Sequence, residues 1–431
     1  MSVTNEPTPT PERSPTAAAD ADADAYRFGR PPEQLPALEP APATRRTGPV
    51  PGLEIRPVDL GRGRDRKRFL DLADPIYAGD PNYISALRMH FMKFLDPSQN
   101  PAFSHLDHRA TIAWRDGRPV GRIVAHVDHE YCAYHGTRTG FFGFFECIDD
   151  EAVAHALLDD AIGYLRSQGV TEVFGPMNFN TNHQCGLLVE NFDRPPFVEN
   201  TYNPPFYERL LTSYGFGKAK DLLTFMIDTA QGMDTPKRAR IRKVADRVRK
   251  REGITVRPVD FGDVQGEIAR MYDVYTRAWE KNWGFAPVSR EEFDFLMGDL
   301  KMVALAELVM FVEVEGRPVG FTATLPNVNE KMPRNGRLLP FNWLKMLSLK
   351  KTKSGRLITL GMLPEYRKRG LETIMFTETF LAGQRLGWKQ GEIGWTLEDN
   401  DLVNRAIESM EGWLDRRYRI LGLTIPESAE A

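Results

Sequence analysis

Three stretches of this sequence combine residue types that could do chemistry, and each follows a segment with the pattern of a strand. The first is Pro364-Glu-Tyr-Arg367-Lys368-Arg369-Gly370-Leu371-Glu372. A strand ends here, a turn exposes consecutive backbone N–H groups, and the helix N-terminus behind it adds positive potential. Three basic side chains add charge, and Gly370 lets the backbone approach a ligand closely. The ligand expected is a pyrophosphate. Alone, the stretch reads equally as a solvated charged turn. The second is Trp395-Thr-Leu-Glu398-Asp399-Asn400, ahead of a helical pattern from Leu402 to Met410. It suits a general base or an acidic helix N-cap. The third runs Gly175-Pro-Met-Asn-Phe-Asn-Thr-Asn182-His183-Gln-Cys-Gly186, then Glu190, then Tyr202-Asn203-Pro-Pro-Phe-Tyr207. Long polar loops bind something more often than they merely connect. Asn182, His183, Glu190 and Asn203 are the candidates for substrate contact. A self-capping loop is the other reading.

A fourth stretch bears on substrate class. Between Arg334 and Lys353 lie Leu338, Leu339, Phe341, Trp343, Leu344, Met346, Leu347 and Leu349, flanked by Arg337, Lys345, Lys350, Lys351 and Lys353. An aromatic and aliphatic segment bracketed by cations suits an anionic membrane surface or a long acyl chain. A helix packed on the rest of the protein would look similar.

The elements that must position these stretches repeat. Ile55-Arg-Pro-Val-Asp-Leu-Gly61 returns as Val256-Arg-Pro-Val-Asp-Phe-Gly262. Asp116-Gly-Arg-Pro-Val-Gly121 returns as Glu315-Gly-Arg-Pro-Val-Gly320, and Tyr214-Gly-Phe216 as Glu411-Gly-Trp413. Three matches in one order at nearly one offset mean duplication. A fourth pair, Glu172–Asn180 and Glu392–Asn400, sits at a larger offset. It places an insertion of about 20 residues in each copy, within Thr181–Pro205 and within Pro333–Gly355. Each copy opens with a strand (53–58, 254–259) and helical pattern. A hairpin follows: Ala110–Trp114 with Val120–His126, and Met310–Val314 with Val319–Thr324. Asp-Gly between alternating apolar segments is a strong hairpin signal. Copy two continues with Arg356–Met362, Leu371–Leu386, Gln390–Leu397, Asp401–Met410 and a last strand at Tyr418–Leu421. Antiparallel strands followed by a β-α-β-α run predict an α+β fold, two tandem domains each with a mixed central sheet and flanking helices.

The domains expected are 52–229 and 253–424. Residues 1–51 precede them as a tail, with 11 of the chain's 31 prolines and little apolar content. That composition predicts disorder. Residues 230–252 are expected as a basic linker helix with Ile241, Val244 and Val248 on one side, solvated or touching phosphates.

At 42% apolar residues, the 431-residue chain can bury two cores. A net charge of -3 gives no basic field for nucleic acid. Three scattered cysteines suit a reducing cytosol, neither a disulfide framework nor a zinc site. His126 and His129 read as strand-end histidines, and no metal is expected. No apolar run reaches the roughly 18–20 residues of a membrane span.

The order of elements and the Arg367-x-x-Gly370 turn resemble the GNAT acyltransferase superfamily over about residues 53–421. That resemblance implies acyl-CoA as co-substrate. Arg367, Arg369 and Gly370 would cradle its pyrophosphate, with Lys368 beside them and Leu371 and Thr373 opening the helix. Glu372 departs from the family pattern, which has Gly or Ala there. Copy one has Phe141-Phe-Gly-Phe-Phe-Glu-Cys-Ile-Asp-Asp150 instead of a basic turn, so it is expected to buttress copy two or line the acceptor site. N-acyl transfer needs a base, oxyanion donors and an acid for the thiolate. By position in the superfamily, Glu398 is the base expected and Asn400 orients substrate. The usual acid is a Tyr on the next helix; Met410 stands near that place, and Tyr418 is the substitute. The insertion, the Asn-rich segment and the WTLEDN strand together resemble the bacterial GNAT-like proteins that include the ceramide synthases. Those join a long acyl chain from a thioester to a sphingoid amine. The expected protein is cytoplasmic and peripheral on the inner membrane face through 334–353. Two other readings stay open: an acetyltransferase for a small polar amine, and a degenerate pair that only binds.

Overall fold

The computed structural model describes residues 50–85, 87–338 and 341–426, without the side chains at 251, 252, 299, 343, 346 and 347. Most of the expected tail thus lies outside the described residues, as do Leu339 and, for their side chains, Trp343, Met346 and Leu347.

Copy one runs β1 (Leu53–Val58), α1 (Gly63–Asp71), α2 (Arg88–Phe94), β2 (Leu106–Arg115), β3 (Arg118–Asp128), β4 (Thr139–Cys147), α3 (Glu151–Ser167), β5 (Glu172–Gly175), β6 (Leu187–Leu188), α4 (Tyr207–Tyr214) and β7 (Gly217–Asp228). A helix α5 (Pro236–Glu252) leads to copy two. That copy runs β8 (Ile254–Pro258), α6 (Val264–Ala278), α7 (Arg290–Leu300), β9 (Val309–Val314), β10 (Arg317–Pro326), β11 (Ser354–Met362), α8 (Leu371–Arg385), β12 (Gln390–Leu397), α9 (Asp401–Ser409) and β13 (Trp413–Thr424).

The two hairpins form where the Asp-Gly and Glu-Gly pairs put them. Asp116 and Gly117, and Glu315 and Gly316, all have positive φ. Positive φ at both central residues is the turn that matches the twist of paired strands. β1 and β8 then close each hairpin's outer edge.

Each copy keeps a mixed sheet, and the two run on as one 13-stranded sheet in the order β1-β2-β3-β4-β5-β13-β7-β12-β11-β10-β9-β8, with β6 against β13. The last strands are exchanged. β13, from copy two, pairs with β5 of copy one at Leu423↔Val173, while β7, from copy one, pairs with β12 at Glu392↔Met226. β7 and β13 pair with each other along most of their length. The expected strand Tyr418–Leu421 is therefore the middle of a twelve-residue strand that joins the halves.

Two strand pairs are parallel, β4 with β5 and β11 with β12. Both pairings are short. β11 and β12 are joined only from Ser354↔Gln390 to Leu357↔Ile393. The same happens in copy one after Phe141↔Phe174. Where such strands part, the sheet opens between them.

The linker helix is not free. Arg238 is 2% exposed, donates to the carbonyls of Met410 and Gly232, and lies over the Phe380 ring of α8. Ala245 is its buried apolar contact, and Val244, expected on the packed side, is 40% exposed. Among the described residues no helix is long and apolar enough to cross a membrane.

Candidate active site, a cavity walled by both copies

A cavity of about 550 Å³ lies over the two openings in the sheet. From copy two it takes Arg356–Leu360 of β11, Ile393–Leu397 of β12, Phe376, Asn400 and Val403, roofed by Tyr275, Trp279, Trp283, Phe285, Phe293 and Met297. From copy one it takes Tyr77, Tyr83, Phe91, Phe94, Arg122, Phe144–Glu146, and much of the chain between Pro176 and Tyr207. Its size falls within the roughly 300–1,000 Å³ of small-molecule sites. Trp279 can lie flat because Gly361 is beneath it; a Cβ there would come within 1.9 Å of the ring.

The Asn-rich segment is a bracket between the copies. Tyr275 of α6 donates to Asn182 Oδ1 at 2.5 Å, and Asn182 Nδ2 donates to the Ala286 carbonyl at 3.2 Å. Thr181 donates to the Gly284 carbonyl at 2.6 Å. His183 faces the cavity against Phe94 and Phe179. Burial holds its pKa down at about 4, so at neutral pH the ring is uncharged. Asn203 spends its amide on the backbone of Leu188, which anchors β6.

Of four further expected site residues, three lie off this wall. Glu398 lies off it; its oxygens accept from Lys218 Nζ at 2.6 Å and from the Asp221 N–H at 3.0 Å. Glu190 pairs with Arg417 at 3.1 Å. Both acids belong to one ion network centred on Asp221, where Arg417 and Arg419 also converge. Tyr418 is 1% exposed, and its hydroxyl has no hydrogen-bond partner among the described residues. Burial drives its pKa up, which disfavours any ionised role. Asn400 alone faces the cavity, and its Oδ1 also caps α9 by accepting from the Val403 N–H at 3.4 Å. The capping reading of this position is thus realised.

The basic turn follows β11, whose middle lines the cavity. Lys368 and Gly370 both have positive φ, and the helix α8 starts at Leu371, fully buried in the copy-two core. Thr373 N–H closes onto the Gly370 carbonyl. Arg367 is used for structure. It donates to the carbonyls of Met362 and Ala278, so it fixes the turn to α6. Arg369 lies 5.1 Å from the Tyr366 ring. Glu372 sits in the first turn of α8, directly behind the basic turn, where burial raises its pKa.

Two acids, Glu146 half-buried and Glu392 buried, were not among the expected site residues. Glu146, on β4, faces the cavity beside Tyr77, Tyr83 and Tyr207. A single carboxylate within the aromatic run Phe141–Cys147 was the signal available. Glu392 is 1% exposed, 3.1 Å from Arg356 and 2.7 Å from Asn200 Nδ2, with no hydrogen-bond partner for Oε2 among the described residues. A third polar centre, His105, sits between Asp128 at 3.0 Å and Glu292 at 2.9 Å and ties α7 to copy one. Its ligand atoms and those of Glu130 lie close enough for a metal, yet both ring nitrogens already face carboxylates.

No family model matches the sequence. It is 34% identical over 366 residues to the bacterial ceramide synthase of Caulobacter vibrioides, across 82% of this chain and 93% of that protein. The chain belongs to that family. It is also 30% identical over 364 residues to protein YghO of Escherichia coli K12, across 83% of this chain and 92% of that one. Among solved structures, a tandem GNAT protein from the clavulanic acid biosynthesis pathway superposes with a TM-score of 0.53 at 11% identity, covering 86% of this chain and 98% of its own. That likeness gives the fold: tandem GNAT, α+β, with mixed sheet and flanking helices. Family and fold together make the protein an acyltransferase of the GNAT type.

Proposed function

We propose that the protein moves a long acyl chain from acyl-CoA to the amine of a sphingoid base. The observation that carries this reading is the cavity. It is one space lined by aliphatic and aromatic side chains from both copies, and it runs from the parted strands β11 and β12 into copy one. Burying a chain there is favourable by about 0.8 kcal/mol per methylene, which gives long chains the advantage over acetyl.

The residues suit the donor. Lys368, Arg369 and Gly370 would hold the pyrophosphate, with Leu371 and Thr373 opening the helix behind it. Arg367 acts by holding the turn in place, and Glu372 must swing out. The thioester supplies the activated acyl group. The acceptor gives up a proton, its nitrogen forms a bond to the thioester carbon, the C–S bond breaks, and the thiolate takes a proton. Of the catalytic candidates Glu398, Asn400 and Tyr418, Asn400 is the one that lines this space, beside the substrate candidates Asn182, His183 and Asn203.

The insertion divides in two. Leu349 packs with Val198 of copy one, and the Arg334 and Gly336 carbonyls accept from the Ser85 and Arg88 N–H groups. Phe341 and Leu344 stay 75% and 50% exposed, with Lys345, Lys350 and Lys351 exposed around them. This part is the proposed contact with an anionic membrane.

The test is an assay of the purified protein with sphinganine and acyl-CoA of graded length. Palmitoyl-CoA should give free CoA and an amide, and acetyl-CoA should be the poorer donor. Absence of amide at every chain length would sink the proposal. Glu372 in the turn favours a second reading, a pair that binds but does not react. Calorimetry with CoA separates that from the first, since only a donor site needs to bind it.

A further inference from the structure

We propose that the copy-one end of the cavity, around Glu146, Tyr77, Tyr83 and Tyr202, is a seat for the ammonium group of the amine acceptor. This rests on the reading of the cavity as an acyl-transfer site. Glu146 stands on β4, whose parting from β5 forms the opening on this side. Its side chain is 14% exposed, and the exposed part faces the cavity. Tyr207 donates to Glu146 Oε2 at 2.7 Å and in turn accepts from the Cys147 N–H, so the carboxylate is fixed in position.

The near cation does not neutralise it fully. Arg122 approaches Glu146 Oε1 only to 3.5 Å. Its guanidinium donates to the carbonyls of Phe144 and Phe69 and stacks on the Phe69 ring at 4.8 Å. Burial outweighs Arg122 and lifts the Glu146 pKa above the ordinary glutamate value. A cation seated beside it would favour the ionised carboxylate and be held by it in return.

Aromatic rings supply the rest. Tyr77 and Tyr83 stack at 3.8 Å, and Tyr202 stands 6.2 and 6.4 Å from them. The Tyr77 hydroxyl donates to the Tyr202 carbonyl and the Tyr202 hydroxyl to Asp80, so these rings are held as a unit. Ring faces beside a carboxylate are the chemistry that recognises an alkylammonium. Copy two follows β11 with Arg367, Lys368 and Arg369, where copy one follows β4 with Asp149 and Asp150, so the charge pattern after the matching strands is opposite in the two copies.

The test compares octylammonium with 1-octanol, titrated into the full-length protein by calorimetry. The wild type should bind the amine at least about tenfold more tightly than the alcohol. E146Q should lose that preference and bind octanol as before; it keeps an oxygen for the Tyr207 hydroxyl. Y83L is the second variant, removes one ring without touching the carboxylate, and should weaken the amine selectively. Equal binding of amine and alcohol by the wild type overturns the seat. So does wild-type amine affinity in the variants that fold. A kept amine preference with no acyl transfer to sphinganine leaves the seat standing and removes the reaction reading. Amide formation with an unchanged KM for sphinganine in E146Q removes the seat alone.

Discussion

A carboxylate decides most at the single-residue level here. If the basic turn holds the donor's pyrophosphate as proposed, Glu372 stands in its way, where burial raises its pKa. E372A should therefore tighten CoA binding by about tenfold, and R369A should weaken it, both read by calorimetry. If E372A instead weakens binding, the carboxyl supports the turn and does not obstruct it. Glu392 carries a second prediction. Burial raises its pKa from 4.5 to about 7 despite Arg356. The folded state then holds a proton the unfolded chain has already lost between these values. Stability from this group is full below about pH 4.5 and falls as pH rises through about 7, by up to ~3 kcal/mol. E392Q should remove that slope, so melting temperatures of wild type and variant measured from pH 5 to 8 should diverge upward. A parallel trend in both proteins would refute it. The sequence made the charge at Arg367–Arg369 plain. It gave no sign that Arg367 would be turned inward onto backbone carbonyls, because that depends on α6 arriving beside the turn.

Elements matter through where they pack. The insertion is half docked and half open, for a physical reason visible in its residues. Leu349 finds Val198, Leu325 and Val328, while Phe341 and Leu344 find nothing comparable among the described residues. Replacing both with glutamate should abolish sedimentation with anionic vesicles by charge and lost apolar contact, and leave the melting temperature unchanged. Loss of folding in F341E/L344E would mean that these side chains pack after all. The Asn-rich segment teaches the same lesson. Its density of amides marked it as special, and Asn182 and His183 do face the cavity. Yet its bonds run to Tyr275, Gly284 and Ala286 of the other copy, partners some 90 to 105 residues away in sequence. No local pattern encodes them.

At the level of the whole molecule, the exchanged strands make the halves interdependent. β13 supplies the neighbour of β5, and β7 supplies the neighbour of β12. Both copies belong to one compact unit. A chain ending at residue 412 should thus lose both β13 and the ordered edge of copy one. Separately made halves, split after residue 229, should be unfolded or aggregated alone and recover helix and strand signal by circular dichroism when mixed. A copy-one half that melts cooperatively by itself would show that the exchange is dispensable. The candidate cavity follows from the same exchange, since the joined sheet brings the two openings under one roof.

The sequence alone predicted most of the repeated strands and helices and their order, though not the His129–His135 helix or β6. Period-two alternation, Asp-Gly turns and apolar helix faces are local, and the repeat reported the duplication without any structure. It also settled the asymmetry, a basic turn in one copy and an acidic aromatic run in the other. Only the tertiary structure decided which copy each last strand would complete, because β7 and β13 are alike in pattern and register is fixed by partners far away. It decided too that Glu398 and Glu190 would meet cations around Asp221 rather than the cavity. Glu146 and Glu392, inconspicuous in the chain, became a half-buried and a buried carboxyl there. Charge is written in the sequence, but its surroundings, and hence its chemistry, come from the packing.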